Sequence, residues 1–222
     1  MGIIEVAHTV RRLGIAAAII TCSWNTCTEK GDEVLREASM ALKGALTLPG
    51  LRNHGVVRAY RDIMWRLGID PTKVRPSSEA LARRVLRGKE VRPIYPAVDA
   101  CNAASMTTLI VISVFDASRV RPPLTLRFAR KGEVFRDFSG KERVLSGKEI
   151  VLTDLEGRIL HLYPYRDSAS AAVGEGTREV IAVAYGAPGV GLGSLLKALA
   201  SFREYLMRLC DGVSCSEAAV AR

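Results

Sequence analysis

The stretch YGAPGVGLGSLL, residues 185–196, has the outline of a phosphate-binding loop. Such a loop reads G-x-x-x-x-G-K-[ST]: backbone N–H groups wrap the phosphates, the lysine neutralises their charge, and the hydroxyl holds magnesium. Gly186 and Gly191 have the spacing, but Leu192 stands in the lysine's place, Gly193 in the hydroxyl's, and Ser194 comes one residue late. A phosphate loop also opens an α/β sheet, whereas no strand-like run follows this one. The stretch reads as a neutral turn from strand to helix, and no cofactor is expected.

A second concentration of chemistry is charge. Residues 51–92 hold eleven Arg and Lys against four acids, so seven of the chain's nine net positive charges lie there. Arg75, Arg83, Arg84, Arg87 and Lys89 crowd its later part. Guanidinium forks match phosphate oxygens, so such a segment suits a polynucleotide backbone as well as it suits a solvated helical surface.

The elements that position these residues follow from pattern. An apolar run at 14–22 reads as a buried strand, and 32–46 has helical spacing at Val34, Leu35, Ala38, Ala41, Leu42 and Leu46. TLPGLRNHG, 47–55, reads as a loop. A helix over 56–68 stops at Gly68 and Asp70-Pro71, and another opens at Pro76-Ser77 and closes at Gly88. From residue 108 the texture changes to short strand-like runs, LIVISVF, LTLRFA, EVFRDF, EIVLTD, RILHLYP and EVIAVAYG, separated by X-Gly turns. A helix from about Gly193 to Leu209 closes the chain. Helices, then strands, then one helix make an α+β domain spanning 1–222. Within it, 1–50 is an N-terminal strand and helix extension, 51–92 the basic helical segment, 93–190 the β-rich core, and 191–222 a C-terminal helix and tail.

At 222 residues, with 48% hydrophobic and 25% charged residues, the chain has the composition of a soluble globular protein. Its longest apolar run is too short to span a bilayer, and no secretory leader pattern is visible, so a cytoplasmic location without membrane contact is expected. Five sparse cysteines argue against a secreted disulfide framework and read first as ordinary thiols. A zinc site from Cys22, Cys27, Cys210 and Cys215 lacks CxxC spacing, and no metal is expected. A local Cys210–Cys215 bridge suits a hyperthermophilic source, which the absence of glutamine and the presence of only three asparagines also fit.

Several motifs recur in order. Val98, Asp99 and Asn102 form V-D-x-x-N; Phe115-Asp116, Arg127-x-Ala129 and Gly132-Glu133 follow; Ile150, Val151 and Asp154 form I-V-x-x-D. Over roughly residues 55–190 the chain resembles the B3/B4 tRNA-binding domain of the phenylalanyl-tRNA synthetase β subunit, in a free-standing form. The resemblance implies an α+β fold with a β-sandwich of unusual topology flanked by helices, shared with the C-terminal part of tRNA lysidine synthetases. It implies aminoacylated tRNA as partner and a trans-acting editing deacylase that hydrolyses a mischarged aminoacyl ester. Nothing resembles an ATP-dependent activation domain, so the protein is not expected to aminoacylate. The alternatives are a non-catalytic tRNA- or RNA-binding module and an enzyme on a small amino-acid-like substrate.

The departures from the family shape the expected site. The synthetase's editing histidine falls on Ser113, and its glycine-rich region is replaced by YPYRDS. The resemblance therefore directs catalysis to Arg166, Asp167 and Ser168: Asp167 to orient water or bind an α-ammonium, Arg166 or Ser168 to stabilise developing negative charge. Asp99, Asn102, Ser113, Asp116, Asp154, Ser170 and Thr177 are the expected substrate-binding residues, and Arg75, Arg83, Arg84, Arg87 and Lys89 the expected tRNA contacts. His161, on a strand-like run, reads as a core or edge residue rather than a base, and His8 and His54 have no identifiable partner.

Overall fold

Strands that are apolar on both faces organise the molecule. The computed structural model describes residues 3–28 and 31–222. Strand β1 (Ile4–Val6) and the short helix α1 (His8–Arg11) lead into β2 (Ala17–Ser23) and β3 (Thr26–Cys27). Five helices follow: α2 (Gly31–Ala45), α3 (Leu48–Asn53), α4 (Gly55–Arg66), α5 (Ser77–Leu86) and α6 (Pro96–Thr108). Next come β4 (Val111–Asp116), β5 (Leu124–Phe128), β6 (Val134–Arg136), β7 (Glu142–Val144) and β8 (Ile150–Thr153). After β9 (Ile159–Leu162), β10 (Arg166–Asp167) and β11 (Glu179–Tyr185) comes helix α7 (Leu192–Leu209). The chain ends in β12 (Cys210–Asp211), β13 (Ser214–Cys215) and β14 (Ala219–Ala221).

Two sheets form a sandwich. One has the order β1-β5-β8-β9-β10, with β1 parallel to β5 and the rest antiparallel. The other has the order β13-β2-β11-β4, antiparallel throughout, with β14 also on β2. Ile19, Val111, Phe115, Ile181, Val183 and Tyr185 of the second sheet meet Leu124, Leu126, Ile150, Leu152 and Leu160 of the first in one buried cluster. The alternate residues Ala18, Ile20, Ile112, Val180, Ala182 and Ala184 face α2, α6 and α7 on the other side. Because successive side chains point to opposite faces, a strand with both faces covered must be apolar throughout, as β11 is from Val180 to Tyr185. The α+β class and the sandwich agree with the sequence reading.

Helix α6 is the hub of the helical layer. Ala97, Ala100, Cys101, Ala103, Ala104 and Met106 are all buried, so small residues let α2, α7 and the sheet approach it from several sides. Helix α4 is pinned to the sandwich by Tyr60, whose hydroxyl donates to the Tyr185 carbonyl and accepts from Val111 N–H. The small β6–β7 hairpin covers the outer face of the first sheet through Phe135 and Leu145.

Three readings need correction. Residues 47–55 are not a loop but contain α3: the Thr47 hydroxyl caps it by accepting from Gly50 N–H, and a proline occupies its first turn. Four of the five cysteines are not thiols, zinc ligands or a local pair. Cys22 bonds Cys215 and Cys27 bonds Cys210, which leaves buried Cys101 free among the described residues. Strands do follow the glycine stretch, against the sequence reading: β12 pairs with β3 while β13 and β14 pair with β2, setting each cysteine opposite its partner. The glycine stretch joins β11 to α7 as expected. Gly186 donates to the Ala16 carbonyl at 2.7 Å, and a Cβ there would stand 3.1 Å from that oxygen, so close backbone approach accounts for this glycine.

Candidate functional site

Where the edge strands β4 and β10 of the two sheets come together, helices α5 and α6 leave a cavity of about 1000 Å³. Its floor is apolar, from Val98 and Cys101 of α6 and Ile112 and Val114 of β4, with Asn102 and Ser105 as polar groups on the same helix. One wall is cationic: Lys73, Arg75, Arg83, Arg84, Arg87 and Lys89 all line it. The opposite wall carries Tyr165, Arg166, Asp167 and the hairpin residue Phe138. Asp167 is the one carboxylate among the described lining residues, set against seven cationic side chains.

Asp167 is held from behind. Its Oδ1 accepts the Ser113 hydroxyl at 2.6 Å and lies 2.7 Å from His161 Nδ1. A carboxylate only accepts, so Nδ1 carries the imidazole proton. The register puts His161 directly opposite Asp167 on β9 and β10, while Ser113 reaches them from β4 of the other sheet. The His161 ring stacks on Tyr185, with centroids 4.5 Å apart. Ser113 and His161 are each about 1% exposed, and the Asp167 side chain is 32% exposed and faces the cavity.

This is not a nucleophilic triad. Ser113 Oγ and the Asp167 carboxylate both meet the same ring nitrogen, with Ser113 Oγ 3.2 Å from Nδ1, and the serine proton goes to aspartate rather than to imidazole. His161 Nε2, which would face a nucleophile in a triad, is buried without a partner among the described residues. Chemistry is left to Asp167 Oδ2, the carboxylate oxygen that these contacts leave free, and to the neighbouring exposed Arg166.

The other expected residues fall into four groups. Asn102 lines the cavity beside Asp167, as do Arg75, Arg83, Arg84, Arg87 and Lys89. Ser168 and Ser170 lie just behind: the Ser168 hydroxyl donates to the Arg136 carbonyl and caps the turn over Ala169–Ala171. Asp116, Thr177 and Asp154 are joined to turns elsewhere. Asp116 accepts from Ser118 and from Thr177 at 2.6 Å each; burial works against its ionised form, but these hydrogen bonds win and hold the carboxyl below its ordinary range. Asp154 takes the Arg158 guanidinium and three backbone N–H groups at the β8–β9 turn. Asp99 faces a second cavity, where it accepts from Ile94 N–H and crowds Gly31. Burial pushes its carboxyl up to about 6, against the Ile94 hydrogen bond and with help from the Asp32 charge.

His161 is the residue that sequence reasoning undervalued. It is a core residue, as read, yet it also anchors the cavity's carboxylate. The available signal was its spacing of six from Asp167 across the Tyr163-Pro164 corner, which a hairpin converts into a cross-strand pair. No group of three or more potential metal ligands is gathered among the described residues.

The chain belongs to the B3/4 domain family, whose sequence profile matches residues 59–213. Among curated proteins it is similar to the phenylalanine–tRNA ligase beta subunits of Nocardia farcinica and Corynebacterium jeikeium, 38% and 30% identical over 114 residues. These matches cover 51% of the chain but 13% of each relative's length. Among solved structures, an N-terminal fragment of the phenylalanyl-tRNA synthetase beta subunit from Pyrococcus horikoshii aligns over 98% of this chain and 50% of that one. Its TM-score is 0.50 at 14% identity, a likeness of fold. No helix among the described residues is long and apolar enough to cross a membrane.

Proposed function

We propose that the protein binds the 3′ end of an aminoacylated tRNA and hydrolyses the ester that joins amino acid to ribose. The observation that carries this reading is a single carboxylate, Asp167, on the wall of a cavity whose floor is apolar and whose opposite wall is cationic. Those three features match the three parts of the substrate: an ester under attack, an amino-acid side chain, and phosphates. Membership of the B3/4 family, and relatives named as subunits of a tRNA ligase, support the same partner.

The chemistry needs little equipment, because an aminoacyl ester is already activated. Asp167 Oδ2 orients a water and takes its proton as the oxygen attacks the ester carbonyl. Arg166 offsets the charge that develops on the carbonyl oxygen. When the C–O bond breaks, the ribose oxygen recovers the proton from Asp167, and free amino acid and tRNA leave. Ser113 and His161 keep Oδ1 occupied, so that Oδ2 alone faces the reaction.

A second reading, a non-catalytic grip on tRNA, is favoured by the engagement of Ser168, Asp116 and Thr177 in the protein's own turns. Incubation with a panel of correctly and wrongly charged tRNAs separates the two. The enzymatic reading expects amino-acid release from at least one wrongly charged species above the spontaneous rate. Binding without release across the panel leaves only the grip.

A further inference from the structure

Glu79 and Arg83 lie one turn apart on α5, Arg87 caps its C-terminal end, Arg75 stands just ahead of its start, and the three arginines line the cavity together. Glu79 is fully buried and already engaged: Arg61 of α4 holds it bidentately, with Nε and Nη2 each 2.8 Å away. Arg83 Nη1 stays 3.6 Å from it. The Arg61 and Arg83 guanidiniums therefore share one carboxylate, with the charges of Arg75 and Arg87 acting on Arg83 from nearby. Burial pulls the Arg83 guanidinium below its ordinary range, and the charges of Arg75, Arg87 and Arg61 add to this against the attraction of Glu79. Nε of Arg75 and Nε of Arg83 are buried without a hydrogen-bond partner among the described residues, and both side chains line the cavity. Buried donors of this kind are costly unless something accepts from them.

We infer that Arg75 and Arg83, with Arg87 beside them, form a seat for one phosphate group inside the cavity. The seat differs in kind from the exposed positive charge of Arg84 and Lys89. Arg84 spends its Nε on the Glu90 carbonyl at the end of α5, and Lys89 is exposed, so both attract a polyanion only at long range. In the seat, two partly desolvated forks meet phosphate oxygens directly, and the surplus of positive charge favours phosphate over a carboxylate. The inference rests on the reading of the cavity as a tRNA 3′-end site and assigns the seat to a backbone phosphate of the terminal nucleotides. Placed there, that phosphate anchors the RNA on the α5 wall opposite Asp167.

The test uses the whole protein at fixed ionic strength and four probes: inorganic phosphate, adenosine, adenosine 5′-monophosphate and the uncharged trinucleotide CCA. The trinucleotide and the monophosphate are expected to bind, the trinucleotide more tightly, and adenosine is expected not to bind. Arg83→Gln and Arg75→Gln should each weaken trinucleotide binding by about tenfold to a hundredfold, whereas Arg84→Gln should change it by less than about threefold. Arg75→Gln leaves the Arg61–Glu79 pair untouched, so it carries the test if Arg83→Gln lowers the melting temperature. Equal losses in all three variants, or none in Arg75→Gln and Arg83→Gln, overturn the seat. Binding of the monophosphate without the trinucleotide overturns its assignment to an RNA backbone. These titrations contain no aminoacyl ester, so a protein that uses the seat yet releases no amino acid loses only the enzymatic reading. Hydrolysis with full binding in both variants loses only the seat.

Discussion

His161 Nδ1 lies 2.7 Å from Asp167 Oδ1, on directly opposed residues of β9 and β10. The ring cannot swing away, because it is about 1% exposed and stacked on Tyr185. A fixed donor behind a half-exposed carboxylate sets which oxygen faces the cavity. In the proposed hydrolysis His161 therefore acts as a positioning residue, not a proton carrier.

Replacement separates those roles. His161→Asn places an amide donor near the position of Nδ1, whereas His161→Leu removes the donor. Hydrolysis should fall by about a hundredfold in the leucine variant, the order of loss when a reacting group is misplaced by an ångström, and recover most of that in the asparagine variant. RNA affinity should be unchanged in both. Equal activity of the two variants would remove the positioning role.

Asp99 makes stability depend on pH with a definite sign. Its carboxyl is raised from 3.8 to about 6 in the fold, so the folded state holds this proton more tightly than the unfolded chain does. The contribution is full below about pH 4 and is lost as pH rises through about 6. Asp99→Asn keeps an acceptor for Ile94 N–H without the charge. It should be more stable than wild type at pH 7, by about 1–3 kcal/mol, and the gap should close near pH 4. Urea denaturation at the two pH values measures this, and a gap that widens on acidification contradicts the assignment.

The two disulfides should act non-additively. With Cys27–Cys210 intact, the Cys22–Cys215 bond closes a ring of only about a dozen residues, whereas once Cys27–Cys210 is gone it closes nearly the whole chain, and that large ring is lost only when both bonds are removed. Serine replacement of either pair should cost about 2–3 kcal/mol, and replacement of all four cysteines more than the sum of the two. Denaturation midpoints of the three variants decide it, and strict additivity would contradict the nested-ring account.

The exposed part of the cationic wall should show itself through salt. Each phosphate neutralised on a single strand contributes about −0.7 to the slope of log affinity against log salt. Replacing Arg84 and Lys89 together with alanine should flatten that slope by about 1.4 units. An unchanged slope means that these side chains are a solvated surface only.

Much of this was legible in the chain. The six strand-like runs after residue 108 all became strands because β-branched and aromatic residues alternate between turn glycines. The charge of 51–92 did mark one wall of the cavity, although Arg52, Arg58, Arg61 and Arg66 on α3 and α4 do not line it. Helix α6 has no amphipathic stripe to read, since it is buried on several sides and built from alanines. The tail strands are two or three residues long, too short to carry a period. The disulfide partners lie 183 and 193 residues apart, and spacing alone favoured the wrong neighbours. The Ser113–Asp167 contact joins two sheets, so no local pattern encodes it.

Single-turnover hydrolysis of the best substrate from the tRNA panel, with wild type and Asp167→Ala in excess over substrate, tests the central claim most directly. The account expects the alanine variant to lose about a hundredfold to a thousandfold in rate while its affinity for the uncharged tRNA stays within a few-fold of wild type. An Asp167→Ala protein that releases the amino acid as fast as wild type would contradict it.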